Sequence, residues 1–366
     1  MLSAKRRRIG VLTGGGDCPG LNAVIRGVTK ASISQYNMEV VGVEDGYEGL
    51  IKKHVQLLDW KKVSGILTQG GTILGTSNIA NPFRWPAKEK KENPEFVDVS
   101  DSVVEYVEEL GIDNLVCIGG DGTMAIAQQL SQKGLRIIGV PKTIDNDIWG
   151  TDITFGFDSA LNVATEAIDR IHTTAMSHHR VMVIEVMGRY AGWLALESGI
   201  AGGGDVILIP EIPYDIDKVC ALVKDRSKRG KRFSIVVVSE GARPLGGDRV
   251  VQRVVKKSTD PIRLGGIGHK VAEEIEELTG LESRVTVLGH LQRGGTPTAF
   301  DRVLATRFGV KAAELCNDGV AGVMVALRGR DIVTVPLSDV GGKTRLVSLE
   351  HPLVEVARNV GTCLGG

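Results

Sequence analysis

The 366-residue sequence is poor in aromatic residues, at 4%, and carries no net charge. Lysine plus arginine and aspartate plus glutamate balance at 44 each, which argues against a nucleic-acid or membrane-surface protein. Its five cysteines (Cys18, Cys117, Cys220, Cys316, Cys363) are odd in number, far apart and without a C-x-x-C pair. That pattern excludes a disulfide scaffold or a cysteine zinc site and predicts reduced thiols. No apolar run approaches the length of a membrane span. Lys5-Arg6-Arg7-Arg8 is followed by too short an apolar stretch for a signal peptide. A cytoplasmic protein is the expectation. No short fixed-period repeat is present.

What is abundant is glycine, at 47 residues. Much of it falls where strands should end. Unalternated β-branched runs at 8–13, 39–43, 114–118, 136–140, 181–186, 205–209, 233–239 and 284–288 read as strands. Amphipathic stretches at 22–36, 102–110, 160–173, 214–229 and 268–279 read as helices. Strands without a polar face, alternating with helices, predict an α/β fold with mostly parallel sheets covered on both sides. The segment 80–97, rich in Pro, Lys and Glu, reads as a solvated loop. The four tryptophans read as packing residues.

Ligands of such sheets bind beyond the carboxyl ends of strands. Six polar or glycine-rich clusters follow the strands there. Gly14-Gly15-Gly16-Asp17-Cys18-Pro19-Gly20 could cradle phosphate with backbone N–H groups or be only a tight turn. It is neither a P-loop nor G-x-G-x-x-G. In Gly119-Gly120-Asp121-Gly122-Thr123, an acid flanked by glycines ahead of a helix suits magnesium bridging phosphate oxygens; it also suits a helix cap. Asp145 and Asp147, two apart in an extended segment, point the same way, so one carboxylate can take a hydroxyl proton while the other positions it or a metal. Arg180, Arg189, Arg284, His290 and Arg293 supply cations at strand ends, where the fork of arginine suits phosphate. Glu240 could accept sugar hydroxyls or cap a turn.

The motifs Gly15-Gly16-Asp17-Cys18-Pro19-Gly20-Leu21-Asn22, Gly119 to Thr123, Pro141-Lys142-Thr143-Ile144-Asp145-Asn146-Asp147, Met187-Gly188-Arg189-Tyr190-Ala191-Gly192 and Gly289-His290-Leu291-Gln292-Arg293-Gly294-Gly295 together resemble the 6-phosphofructokinase family. The resemblance runs in order from about residue 8 to residue 310. It implies transfer of a phosphoryl group from Mg-ATP to the 1-hydroxyl of fructose 6-phosphate. On that resemblance Asp145 is the general base, Asp147 its neighbour near the metal, and Asp121 the magnesium-associated carboxylate. Gly15, Gly120, Asp121, Gly122 and Thr123 match the nucleotide-phosphate loops, with Tyr47 flanking the nucleotide. Thr143, Met187, Gly188, Arg189, Glu240, His290 and Arg293 match the sugar-phosphate site. Arg180 and Arg284 match residues that the family supplies from a neighbouring subunit, so a homodimer or homotetramer is implied.

Two positions depart from a single pattern. Gly122 resembles the ATP enzymes, where pyrophosphate enzymes carry Asp; Lys142 resembles the pyrophosphate enzymes. Gly122 outweighs Lys142 and favours ATP, because a missing side chain makes room for a nucleotide; a pyrophosphate-dependent fructose 6-phosphate 1-phosphotransferase is the alternative. Asn78 stands where many relatives have an arginine that bridges both substrates. The fold implied is two Rossmann-like three-layer α/β sandwiches with the active site in the cleft between them. Residues 1–157 plus 293–343 would form the nucleotide unit, and 158–292 plus 344–366 the sugar-phosphate unit. A nicotinamide dehydrogenase fails on glycine spacing, and a non-catalytic sugar-phosphate sensor is disfavoured by the three intact aspartates.

Overall fold

A computed structural model describes residues 6–87, 95–254 and 262–366. The chain begins with β1 (Arg8–Thr13), α1 (Leu21–Tyr36), β2 (Glu39–Val43), α2 (Tyr47–Lys52) and β3 (Val55–Leu58). It continues through β4 (Trp85–Pro86), β5 (Phe96–Val97), α3 (Ser100–Glu109), β6 (Asn114–Gly119), α4 (Asp121–Gln132) and β7 (Ile137–Pro141). Then come α5 (Phe157–His178), β8 (Val181–Val186), α6 (Trp193–Ala201), β9 (Val206–Leu208), α7 (Ile216–Lys228) and β10 (Ser234–Ser239). The last part holds β11 (Val251–Val254), β12 (Ile262–Leu264), α8 (Ile267–Thr279), β13 (Ser283–Val287), α9 (Ala299–Asn317), β14 (Val323–Arg328), β15 (Asp331–Pro336), α10 (Leu337–Val340) and α11 (Pro352–Asn359).

Two main sheets result. One has seven strands in the order β15-β14-β7-β6-β1-β2-β3, and the other four in the order β13-β8-β10-β9. The interior pairings are parallel, and only the edge strands β3 and β15 run antiparallel. The second sheet is parallel throughout. β6, β8 and β10 are buried along their whole length, as strands covered on both faces must be. α1 and α9 cross at backbone contact: a Cβ added at Gly27 would stand 3.0 Å from the Thr306 carbonyl oxygen.

The chain passes between the sheets three times. It leaves the first after β7, returns after β13 by way of α9, and leaves again after β15. On the last passage Thr344 bridges Ile148 and Cys363 pairs beside Val206 of β9. The stretch 80–97 carries a small hairpin of β4 and β5, with 88–94 outside the described residues. Trp193 is packed as expected at 3% exposure, whereas Trp60 and Trp149 are each 48% exposed. No described helix is long and apolar enough to cross a membrane.

Candidate functional site

The six clusters all follow parallel strands at their carboxyl ends: β1, β6 and β7 in one sheet, β8, β10 and β13 in the other. After β1, the glycine turn lies on the cations. The Lys142 amine donates to the Gly16 carbonyl. Arg293 donates to the Asp17 carbonyl at 3.0 Å. A Cβ at Gly16 would stand 2.7 Å from Arg293 Nη1, so only glycine admits the guanidinium this close. Gly15 lies against 76–77, where Thr76 Oγ1 donates to its carbonyl at 2.6 Å. Asn78 follows in the same loop and is exposed.

After β6, Asp121 opens α4 and is exposed, its Oδ1 accepting from the Gly122 N–H at 2.7 Å. A Cβ on Gly122 would meet nothing within 4 Å, so open space lies beside it. Thr123 is buried behind the turn. Tyr47 is buried too, and its hydroxyl donates to the Thr123 carbonyl at 2.9 Å. The phenol therefore braces the loop from within and offers no open face. Cys18 is fully buried, and burial pushes its thiol up to about 12, which leaves it an inert packing residue.

After β7 comes the acidic turn. Asn146 holds a left-handed φ of 52°, and its Oδ1 accepts the Thr154 N–H at 3.0 Å. The Asp145 N–H donates to Thr143 Oγ1 at 3.1 Å, and Thr154 Oγ1 donates to the Thr143 carbonyl at 2.8 Å. The turn is thus fixed by its own neighbours. One Asp145 oxygen is buried without a hydrogen-bond partner. Burial raises the Asp145 carboxyl; Arg293, Lys142 and Arg189 oppose this, and the charge of Asp121 adds to it. Asp147 is held well above the usual range by burial, then by Asp145 and Asp121. Lys142 is lowered by burial.

From the second sheet, burial followed by the charges of Asp145 and Glu185 pushes Glu240 up to about 7, while Arg293 and Arg189 pull it down. Asp121, Lys142, Asp145, Asp147, Arg189, Glu240 and Arg293 are therefore one electrostatic neighbourhood. Met187, Gly188 and Arg189 turn directly out of β8, where Arg189 lies 5.0 Å over the Tyr190 ring. His290 is exposed on the turn after β13. Arg180 and Arg284 stand elsewhere. Both pair with Glu282 at the far ends of β8 and β13, Arg180 at 2.8 Å.

Residues that sequence reasoning passed over hold these loops in place. Buried Gln292 takes the Met187 N–H at 3.3 Å and donates to the Gly289 carbonyl at 3.1 Å, which ties two strand-end turns together. Asn22 accepts from Ile73 N–H at 2.8 Å and donates to the Gln69 carbonyl at 3.2 Å. Both lie inside the quoted motifs, and that is the only signal either gave. Among the described residues, no three His, Cys, Asp or Glu side chains group to hold a metal ion. Such a site can buffer charge on phosphates and move a proton at a buried carboxylate.

Comparison with known proteins finds one family over most of the chain. Residues 8–316 match the sequence model of the Phosphofructokinase family. The chain is 54% identical to "ATP-dependent 6-phosphofructokinase 2" of Clostridium perfringens over 97% of each chain. It is 49% identical to "Pyrophosphate--fructose 6-phosphate 1-phosphotransferase" of Amycolatopsis mediterranei, over 94% of this chain and 97% of that one. Among solved structures, phosphofructokinase from Pichia pastoris superposes with a TM-score of 0.78 at 35% identity, covering 92% of this chain and 36% of that longer one.

Proposed function

The chain belongs to the phosphofructokinase family, and we propose that it phosphorylates fructose 6-phosphate at the 1-hydroxyl with Mg-ATP, through Asp145 as the general base. The observation that carries the assignment is the Asp145 carboxylate. The residue is half-buried, its Oδ1 is buried without a partner, and the charges of Arg293, Lys142 and Arg189 act on it together with that of Asp121.

Asp145 accepts the proton as the sugar oxygen attacks the terminal phosphorus; the bond to the bridging oxygen breaks and ADP departs. Arg189 and Lys142 offset charge on the transferred oxygens. Glu240 and Thr143 bind sugar hydroxyls, while His290 and Arg293 face the 6-phosphate, beside the Met187–Gly188 backbone. The glycine turn of Gly15 and the Gly120–Thr123 turn at the positive end of α4 receive the nucleotide phosphates. Asp121 fits magnesium: one of its oxygens is engaged by the Gly122 N–H, the other remains for a ligand, and the missing ligands are those that phosphates and water provide. When bound, the ion neutralises charge on the phosphate oxygens.

Residues 1–157 plus 293–343 form the nucleotide unit and 158–292 plus 344–366 the sugar-phosphate unit, with the reaction in the cleft between. Arg180 and Arg284, remote from Asp145 in one chain, complete the site of a neighbouring subunit in a homodimer or homotetramer. The working compartment is the cytoplasm. Asn78 faces the donor with an amide, not a guanidinium.

Pyrophosphate as donor is the second reading, favoured by Lys142 and by the name of the Amycolatopsis relative. Gly122 weighs against it through the open space beside it. A side-by-side assay with the two donors decides. Turnover faster with pyrophosphate than with ATP overturns the proposal.

A further inference from the structure

The segment 344–347 closes over the back of the acidic turn, and none of the roles above uses it. Thr344 bridges Ile148 in antiparallel fashion. The Arg345 N–H donates to the Asp147 carbonyl at 2.7 Å, and its guanidinium Nη1 donates to the Asn146 carbonyl at 3.1 Å. Behind it, Trp193 Nε1 donates to the Arg345 carbonyl at 2.9 Å, and the guanidinium carbon lies 4.3 Å from the centre of the Trp193 ring.

Two residues on, the Val347 N–H donates to Glu211 Oε1 at 2.8 Å. The same carboxylate accepts the Gly192 N–H at 3.0 and 3.1 Å. One short segment is thus hydrogen-bonded both to the turn that carries Asp145 and Asp147 and to the turn that follows Arg189.

Asn146 needs that support. A non-glycine residue in the left-handed region is strained and persists only where its surroundings over-determine it. Thr154 holds its side chain and Arg345 holds its carbonyl. A charged donor makes the stronger kind of hydrogen bond, and a planar guanidinium can stack and donate at once, which an ammonium cannot.

We propose that Arg345 is a positioning residue for phosphoryl transfer: braced on Trp193, it holds the Asn146 peptide so that the flanking Asp145 and Asp147 carboxylates stay aligned with the acceptor hydroxyl and in register with the Arg189 turn. The proposal rests on the kinase reading above. Its signature is in kcat, because misplacing a reacting group by an ångström costs up to about a hundredfold in rate. The nucleotide loops are untouched, so the KM for ATP stays put.

The experiment compares the full-length parent with Arg345→Ala and Arg345→Lys. It measures kcat, both KM values and Tm, with and without added guanidinium chloride at non-denaturing concentration. The expected result is a kcat loss of about ten- to a hundredfold in Arg345→Ala. Partial recovery with guanidinium, an intermediate value for Arg345→Lys and an unchanged KM for ATP go with it. A role in folding alone would lower Tm and leave no guanidinium rescue.

A folded Arg345→Ala with kcat within about twofold of the parent overturns the proposal, as does a loss that guanidinium leaves unchanged. Should Arg345→Ala not fold, Arg345→Lys decides, and parity with the parent overturns the proposal. A parent with no fructose 6-phosphate-dependent turnover overturns the kinase reading and this proposal together; an active parent matched by Arg345→Ala overturns this proposal alone.

Discussion

On the proposed mechanism, Asp145→Asn removes the base and little else. The Asp145 N–H bond to Thr143 Oγ1 is made by the backbone and survives. The side-chain oxygen meant for the substrate has no partner to lose. A general base contributes about 10² to 10⁴ in rate, which at 1.36 kcal/mol per decade is about 3 to 5 kcal/mol of barrier. The charge change works the other way on stability. Asp145 and Asp121 both push Asp147 upward, so neutralising Asp145 relieves that repulsion and the fold is not weakened. A coupled assay of ADP release at saturating substrates measures kcat, and calorimetry measures fructose 6-phosphate binding without turnover. The expected outcome is a kcat lower by that factor with sugar binding largely intact and Tm no lower than the parent's. A variant that keeps more than about a third of the parent kcat refutes the reasoning, and so does one whose loss is entirely in sugar binding.

Gly122→Asp places a carboxylate in the open space at the start of α4, where the helix dipole favours it. Tm should stay within a few degrees while kcat/KM for ATP falls and pyrophosphate gains; a variant as good with ATP as the parent contradicts the donor argument. Glu240→Gln tests the raised carboxyl. The folded chain binds that proton more tightly than the unfolded one, so stability falls as pH rises from about 4.5 through about 7. The Tm advantage of the variant over the ligand-free parent should therefore grow from about pH 5 to about pH 8, and a difference flat with pH denies the shift. Asn146→Ala adds left-handed strain of about 1 to 2 kcal/mol and strands the Thr154 N–H at about 1 to 3 more; denaturant unfolding at under 1 kcal/mol of loss would show the turn is not so held. Mixing Asp145→Asn with Arg284→Ala chains tests the shared site: hybrids with one intact site regain activity that neither parent variant has, and no regain means each chain is self-contained.

The strands were legible wherever a sheet is covered on both faces. β1, β2 and β8 have the very bounds their apolar runs predict, because a run of buried β-branched residues cannot be solvated as anything else. α9 escaped notice. It packs on α1, on α5 and on the first sheet, so no polar face set its period apart. The edge strand β15 mixes half-buried and exposed positions and gave too weak a run to read. The polar clusters were legible as strand ends, but that two separate sheets bring theirs together was given only by the resemblance. Tyr47 was expected beside the nucleotide and instead lies inside the loop, because a phenol that reaches a buried carbonyl need not face solvent. The clasp of Arg345 on Asn146 joins residues 199 apart, and no local pattern encodes such a pair.

The three passages of the chain between the sheets have a mechanical meaning. The first carries Asp145, the second carries His290 and Arg293, and the third carries Arg345. The two halves share no idle tether, and a change in the angle between them must bend backbone that already holds chemistry. On the proposed mechanism, any shift of one sheet against the other would move residues that the reaction uses.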